Sequence, residues 1–271
     1  MKILVLGSGG MLGHKMLERL QAHYSDVVGL SRKDFDAANP MAAHAILCQH
    51  LPSVVVNCAG LIKQRTVDSN LMMAVNGLFP HSLQRECYAQ GAYLVHFSTD
   101  CVFSGKKGQY TEESPADPED IYGVSKRIGE ITTAQNALTI RTSIIGRERE
   151  NHFGLLEWFL KQQGPIQGHN KAIFSGVTTN WLSAVVAEII REDRLIGLYQ
   201  VASPAVTKFD LLRMFQEAYN KQDVTIVPTD EPRCDRSLNG EKFARTIGIA
   251  TPGLWAQIVG QKYQDRGKYA I

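Results

Sequence analysis

Cysteine is scarce in this 271-residue chain, and the five present (Cys48, Cys58, Cys87, Cys101, Cys234) include no Cys-x-x-Cys pair. An odd number at wide spacing excludes a disulfide framework and a zinc ribbon, and fits a reducing, cytoplasmic setting. Long apolar runs are missing too. Ile3–Leu6 follows Lys2 but stops at Gly7, too short for a signal-peptide core, and nowhere do about 18 apolar residues run together. Neither export nor a membrane span is expected. The charge lacks a dominant sign: 29 Lys and Arg against 27 Asp and Glu leave +2, which argues against a nucleic-acid or membrane-surface partner. Gly and Pro, at 23 and 10, fall short of low complexity, so disordered and collagen-like chains are excluded. The eight histidines show no His-x-x-x-His spacing, and no metal is expected. A small-molecule partner remains the first expectation.

What is present is alternation. Short apolar runs at Ile3–Leu6, Val27–Leu30, Val54–Val56, Tyr93–Phe97 and Leu138–Ile140 predict parallel strands covered on both faces. Helical patterns between them span Met11–His23, Pro40–Gln49, Met72–Gln90 and Glu119–Ala137. Right-handed crossovers then give an α/β, Rossmann-like doubly wound sheet whose ligand crevice lies at the carboxyl ends of the strands. After about Ile145 the alternation becomes irregular, with a predicted helix over Thr179–Arg191 and a strand over Tyr199–Val201. The expected division is a dinucleotide-binding domain of 1–145 and 177–203, and a smaller α/β substrate lobe of 146–176 and 204–271.

Directly after the first strand stands Gly7-Ser8-Gly9-Gly10-Met11-Leu12-Gly13, opening a helix. Glycines there permit positive φ, let the backbone approach a pyrophosphate and let helix and strand pack closely, with the helix N-terminus facing the anion. A dinucleotide cofactor is the reading. The second strand ends in Leu30-Ser31-Arg32-Lys33, where an acidic residue would select a ribose 2′-hydroxyl; Arg32 suits a 2′-phosphate instead. NADPH is favoured, with NADH as the alternative, since nearby Asp34 and Asp36 also fit a merely solvated loop.

Tyr122 has Lys126 four positions later, on the same helical face. An ammonium beside a phenol favours the phenolate, so the expectation is a lowered Tyr122 pKa and acid/base work on a hydroxyl or carbonyl. Ser98-Thr99-Asp100 closes the preceding strand, which puts Thr99 at the same sheet edge, able to bond the same carbonyl oxygen.

Together, Gly7-x-x-Gly10-x-x-Gly13, Asn57-Cys58-Ala59-Gly60, Ser98-Thr99-Asp100-Cys101-Val102-Phe103 and Tyr122-Gly123-Val124-Ser125-Lys126 resemble the extended short-chain dehydrogenase/reductase superfamily. Within it the chain is most similar to the dTDP-4-dehydrorhamnose reductase family, and Arg141-Thr142-Ser143 and Arg236-Ser237-Leu238-Asn239 extend the likeness nearly end to end. The resemblance implies reduction of the C4 ketone of a nucleotide-linked 4-keto-6-deoxyhexose, in polysaccharide sugar synthesis. Thr99 and Tyr122 would polarise the ketone, Tyr122 would supply the proton, and Lys126 would hold the nicotinamide ribose. Ser8, Met11, Leu12, Ser31, Asp36, Ala37, Cys58, Ala59 and Gly60 would line the cofactor along with the glycines and Arg32. Lys63, Asp100, Cys101, His152 and Arg236 would face the sugar nucleotide.

The chain departs from that family at Cys101, where an aromatic residue is usual. A Cys two positions after the catalytic hydroxyl resembles epimerase-reductases akin to GDP-fucose synthase, with His152 or His169 as its partner. A non-catalytic NADP-binding regulatory subunit is the other alternative, and a homodimer is left open. Leu155–Leu160 reads as core, Phe174–Thr179 as a turn or a sugar contact, and the basic tail Lys262–Lys268 as a solvated end.

Overall fold

The computed structural model describes residues 1–149, 152–192 and 194–269. Its first half is β1 (Ile3–Leu6), α1 (Met11–Gln21), β2 (Val27–Leu30), α2 (Ala42–His50), β3 (Val54–Asn57), α3 (Ser69–Met72), α4 (Phe79–Ala89), β4 (Tyr93–Ser98), α5 (Ile121–Ile128) and β5 (Ala137–Arg141). There follow β6 (Ile144–Ile145), α6 (Leu155–Lys161), β7 (Gly164–His169), β8 (Ala172–Phe174), β9 (Val177–Thr178), α7 (Thr179–Arg191) and β10 (Gly197–Gln200). The remainder is β11 (Val206–Thr207), α8 (Lys208–Tyr219), β12 (Val224–Thr229), β13 (Cys234–Asp235), α9 (Glu241–Ile247) and α10 (Leu254–Gln264).

Six strands form one parallel sheet in the order β10-β5-β4-β3-β1-β2. Strand residues alternate between two cores. Ile3, Val5, Val54, Val56 and Val95 pack with Leu12, Met16 and Leu20 of α1 and with Leu182, Val186 and Ile190 of α7. Leu4, Leu6, Val55 and Leu94 pack on the opposite face with Ile46 and Leu47 of α2 and Phe79 and Leu83 of α4. Covering both faces is why the strands read as unbroken apolar runs, each buried Val, Leu or Ile contributing about 1.5–3 kcal/mol. The order reverses at β1, which places the crevice of the doubly wound sheet between the ends of β1 and β3.

A smaller lobe holds the parallel pair β7 and β12 and the three-stranded sheet β11-β8-β13. Its core joins Leu156 and Phe159 of α6, Leu211 and Phe215 of α8, and Leu254 and Ile258 of α10. Within the expected Leu155–Leu160 stripe, Trp158 alone is 39% exposed among the large apolar groups. Phe174–Thr179 closes into β9 and the start of α7, where the Thr178 hydroxyl caps the helix by accepting from Trp181 N.

Three expectations need correction. The helix expected over Glu119–Ala137 ends at Ile128, because a side chain at Gly129 would overlap the Asn76 carbonyl and Glu130 turns inward onto Arg141. The pattern over Met72–Gln90 is helical from Ser69 to Ala89, with a wider π turn over Met73–Leu78. The tail is docked rather than solvated. Asp265 is buried against Lys15, Lys268 pairs with Glu18, and Tyr269 OH lies 2.6 Å from His14 Nε2, all on α1.

Candidate active site

The glycine loop is a close-packed cradle. Gly7 has φ +75°, and a Cβ there would lie 2.7 Å from Ala59 N. A Cβ at Gly13 would overlap Gly7 O. Gly10 caps α1 with extended backbone and no side-chain hydrogen bond, so the first-turn N–H groups stay available to an anion. Ser8 N donates to Leu30 O at 3.0 Å and Cys58 N to Leu6 O at 2.9 Å, tying the ends of β1, β2 and β3 together. Met11 lies where side chains at Gly146 or Gly154 would meet it. Leu12, expected to line the cofactor, instead sends its side chain into the core, because its place on α1 faces the sheet. Ala59 N donates to Asn57 Oδ1 at 3.1 Å, and Gly60 sits beside Asn76 Oδ1 and Lys126 Nζ.

Past β2, Ser31 donates from N and Oγ to Asp34 Oδ2 at 2.7 and 2.9 Å, holding that carboxyl below the usual range. Asp36 Oδ1 accepts from Ala38 N at 2.9 Å. Both carboxylates thus turn to local hydrogen bonds, and Arg32 is exposed with no ion pair among the described residues. Ala37 packs with Phe35 against the core.

Thr99 follows β4 and accepts from Cys101 N at 3.2 Å, turning Asp100–Val102 into one 3-10 turn. Asp120 caps α5 by accepting from Gly123 N at 2.8 Å. A methyl on Gly123 would overlap the Cys101 carbonyl oxygen, so glycine lets the first turn of α5 rest on the Thr99–Cys101 turn. That contact brings Tyr122 beside Thr99, whose hydroxyl eases ionisation of the phenol.

The expected lowering of the Tyr122 pKa by Lys126 is not what the site shows. Burial, with Cys101, Asp100 and Asp120 adding negative charge, pushes the phenol up, so its O–H is retained. Lys126 Nζ instead donates to Phe97 O at 2.6 Å, and burial lowers its pKa to about 8 against the opposing pull of Glu130 and Cys58.

Four of the five expected substrate residues gather around this pair. Lys63 Nζ reaches Asp120 Oδ2 at 3.3 Å; Arg236 donates from Nε to Phe103 O at 2.8 Å and lies 3.8 Å from Cys101 Sγ, with Asp100 between Thr99 and Cys101. His152 is not brought to them. Its Nδ1 lies 3.1 Å from Glu157 Oε2, and it borders a cavity of about 600 Å³ with Arg147, Glu18 and Tyr269. His169 ends β7, in the other lobe's strand pair.

Sequence reasoning missed the residues that hold this arrangement. Asn76, on the π turn, accepts from Leu61 N at 2.8 Å, donates to Leu61 O at 2.9 Å and donates to Ser125 Oγ at 3.2 Å. Glu130 is fully buried and receives Arg141 through Nε and NH2 at 2.6 and 2.8 Å, Ser98 at 2.7 Å and Arg127 at 3.0 Å. The Asp120-x-x-Gly123 spacing before a helix was a legible cap signal. Asn76 left none. Among the described residues, no group of three or more His, Cys, Asp or Glu side chains is placed to hold a metal.

A family model described as RmlD substrate binding domain matches residues 1–251. The chain belongs to the RmlD family. A probable dTDP-4,6-dihydroxy-2-methyloxan-3-one 4-ketoreductase of Streptomyces antibioticus is 32% identical over 98% of this chain and 95% of its own. A dTDP-4-dehydrorhamnose reductase of Streptomyces griseus is 39% identical over 130 residues, 47% of this chain and 43% of that protein. The RmlD-family fold is also that of a Bacillus anthracis dTDP-4-dehydrorhamnose reductase solved with NADP, at TM-score 0.85 and 22% identity, covering 98% of this chain and 99% of that one.

Proposed function

We propose that this protein is an NADPH-dependent reductase of the C4 ketone of a dTDP-linked 4-keto-6-deoxyhexose, acting in the cytoplasm in polysaccharide sugar synthesis. The observation that carries the reading is the neutral Tyr122 phenol beside Thr99, one helical turn from the Lys126 ammonium, at the edge of the Gly7–Gly13 cradle. In this reading residues 1–145 and 177–203 hold the cofactor and residues 146–176 and 204–271 the sugar nucleotide.

The cradle fits a dinucleotide, since the space that a Cβ would fill at Gly7 and Gly13 is what lets backbone approach a pyrophosphate. Arg32, with no carboxylate drawn to it, supports a 2′-phosphate. When bound, NADPH supplies the hydride. Thr99 and Tyr122 donate hydrogen bonds to the ketone oxygen, stabilising the charge that develops there, and Tyr122 releases its proton to that oxygen. Lys126, charged below about pH 8, would bond the nicotinamide ribose. Lys63 and Arg236 supply positive charge for the substrate's diphosphate.

Simple reduction is favoured over epimerisation at Cys101. Burial and Asp100 push that thiol up to about 12, and of the two imidazoles expected as its partner, His152 engages Glu157 while His169 ends β7. The test mixes the protein with NADPH and, separately, dTDP-, UDP- and GDP-linked 4-keto-6-deoxyhexoses in deuterated water, following nicotinamide absorbance and product mass. Oxidation with the dTDP sugar and no carbon-bound deuterium from solvent supports the proposal. Solvent deuterium on ring carbons moves the reaction to an epimerase-reductase, and tight NADPH binding without turnover on any of the three would leave a regulatory subunit.

A further inference from the structure

Just ahead of Thr99, β4 carries a fully buried imidazole that the reduction does not use. His96 is 0% exposed and stands beside Asn57 in the parallel pairing of β4 with β3. Both side chains take the sheet face of Val55 and Leu94, under α2 and α4. Asn57 Nδ2 lies 3.2 Å from His96 Nδ1, while Asn57 Oδ1 accepts from Ala59 N at 3.1 Å. The second bond fixes the sense of the first. A backbone N–H only donates, so the amide oxygen must face Ala59 and the amide nitrogen must face the ring. That nitrogen is itself a donor, so His96 Nδ1 is the acceptor and the ring hydrogen sits on Nε2. Burial, with Lys126 and His81 adding positive charge, holds the imidazole pKa well below its ordinary value, so the ring is neutral and keeps the lone pair.

The Nε2 hydrogen has no acceptor among the described residues. A buried N–H without a partner costs stability, and an apolar side chain in the same place would carry no such cost. Packing alone therefore does not account for an imidazole here. What the ring supplies is the Nδ1 acceptor, and with it the direction of the Asn57 amide. From Asn57 the contacts run on into the glycine cradle. The Ala59 backbone that Asn57 holds is the wall that a side chain at Gly7 would strike, its Cβ lying 2.7 Å from Ala59 N. Next to it, a Cβ at Gly60 would lie 4.0 Å from Lys126 Nζ.

We propose that His96 is a positioning residue for the dinucleotide: through the Asn57 amide it sets the Ala59–Gly60 backbone against Gly7, and thereby how tightly the cofactor is held. The proposal rests on the dinucleotide reading of that cradle. His96 acts through two intermediaries and touches neither cofactor nor substrate, so its effect falls on binding rather than on the chemical step.

The experiment measures NADPH and NADH affinity by fluorescence titration, and urea unfolding, for the native protein, His96→Leu, His96→Asn, Asn57→Ala, and Asn57→Ala combined with His96→Leu. Leucine removes the acceptor, whereas asparagine carries its Oδ1 near the place of Nδ1 and keeps it. His96→Leu should weaken NADPH binding about three- to tenfold with its urea midpoint close to the native one, and His96→Asn should recover most of the affinity. With Asn57→Ala in place no amide remains to be directed, so adding His96→Leu should change affinity by less than about twofold. A urea midpoint that falls in His96→Leu while NADPH affinity holds would show a structural role and overturn the proposal. If both fall together, recovery of affinity in His96→Asn supports it, and equal weakening by leucine and asparagine overturns it. A native protein that binds neither NADPH nor NADH would overturn the dinucleotide reading, and this proposal with it.

Discussion

At Tyr122, burial and three nearby acidic or thiol groups all disfavour the phenolate, while Thr99 is the neighbour that eases ionisation. The side chain therefore stands ready as an acid at neutral pH, which is the direction of transfer that ketone reduction requires. Tyr122→Phe should lower kcat by about 10²–10⁴-fold while NADPH affinity, read by fluorescence titration, stays within about threefold. Lys126 supplies a pH signature. Its buried amine has a pKa of about 8, so it is an ammonium below that value and a neutral amine above it. NADPH affinity measured across about pH 6 to 10 should then fall as pH rises through about 8, and Lys126→Met should bind weakly at every pH without that inflection. Residues of this kind were legible because their chemistry is tied to spacing, as with Tyr122 and Lys126 on one face. The direction of the Tyr122 shift was not, since it depends on burial and on which group the ammonium bonds, neither of which spacing contains.

Among the elements, the first turn of α5 is placed by Gly123 on the turn after Thr99. Gly123→Ala puts a methyl into the Cys101 carbonyl, so α5 must move and carry Tyr122 with it. The expected outcome is a loss of about 1–3 kcal/mol in urea unfolding and a kcat that falls more than KM rises. The strands β1, β3, β4 and β5 were readable because both of their faces are buried, and α1 and α7 because their amphipathic patterns were unbroken. Helix ends were harder. Thr132 and Thr133 continue a pattern that looks helical up to Ala137, yet the close approach of Gly129 to Asn76 and the pull of Arg141 on Glu130 end α5 early. Those are contacts across 53 and 11 positions, outside the window of any local pattern. The π turn carrying Asn76 is of the same kind, since it is set by Leu61 and Ser125 rather than by its own composition.

For the molecule as a whole, the docked tail matters most. Lys15 and Asp265 are 4% and 3% exposed in their side chains, so each charge has left water for the other. Removing Asp265 leaves the buried Lys15 with only the longer contact to Glu18 at 3.5 Å, so Asp265→Leu alone should cost about 3 kcal/mol in urea unfolding, whereas Lys15→Met with Asp265→Leu should recover much of that loss. Around this pair, Lys15 and Arg147 also lie over the Tyr269 ring at 5.1 and 4.9 Å, so α1, the segment after β6 and the tail meet at one place. Lys15 and Asp265 are 250 positions apart. At a ribosome the two arrive far apart in time: the β1–α1 unit emerges with Lys15 beside Glu18 of its own helix, and 250 further positions must follow before Asp265 closes that site. Completion of the dinucleotide cradle's own helix is thus a late event of synthesis, and nascent chains stalled before Asp265 emerges should remain sensitive to protease at α1 when released full-length protein has become resistant.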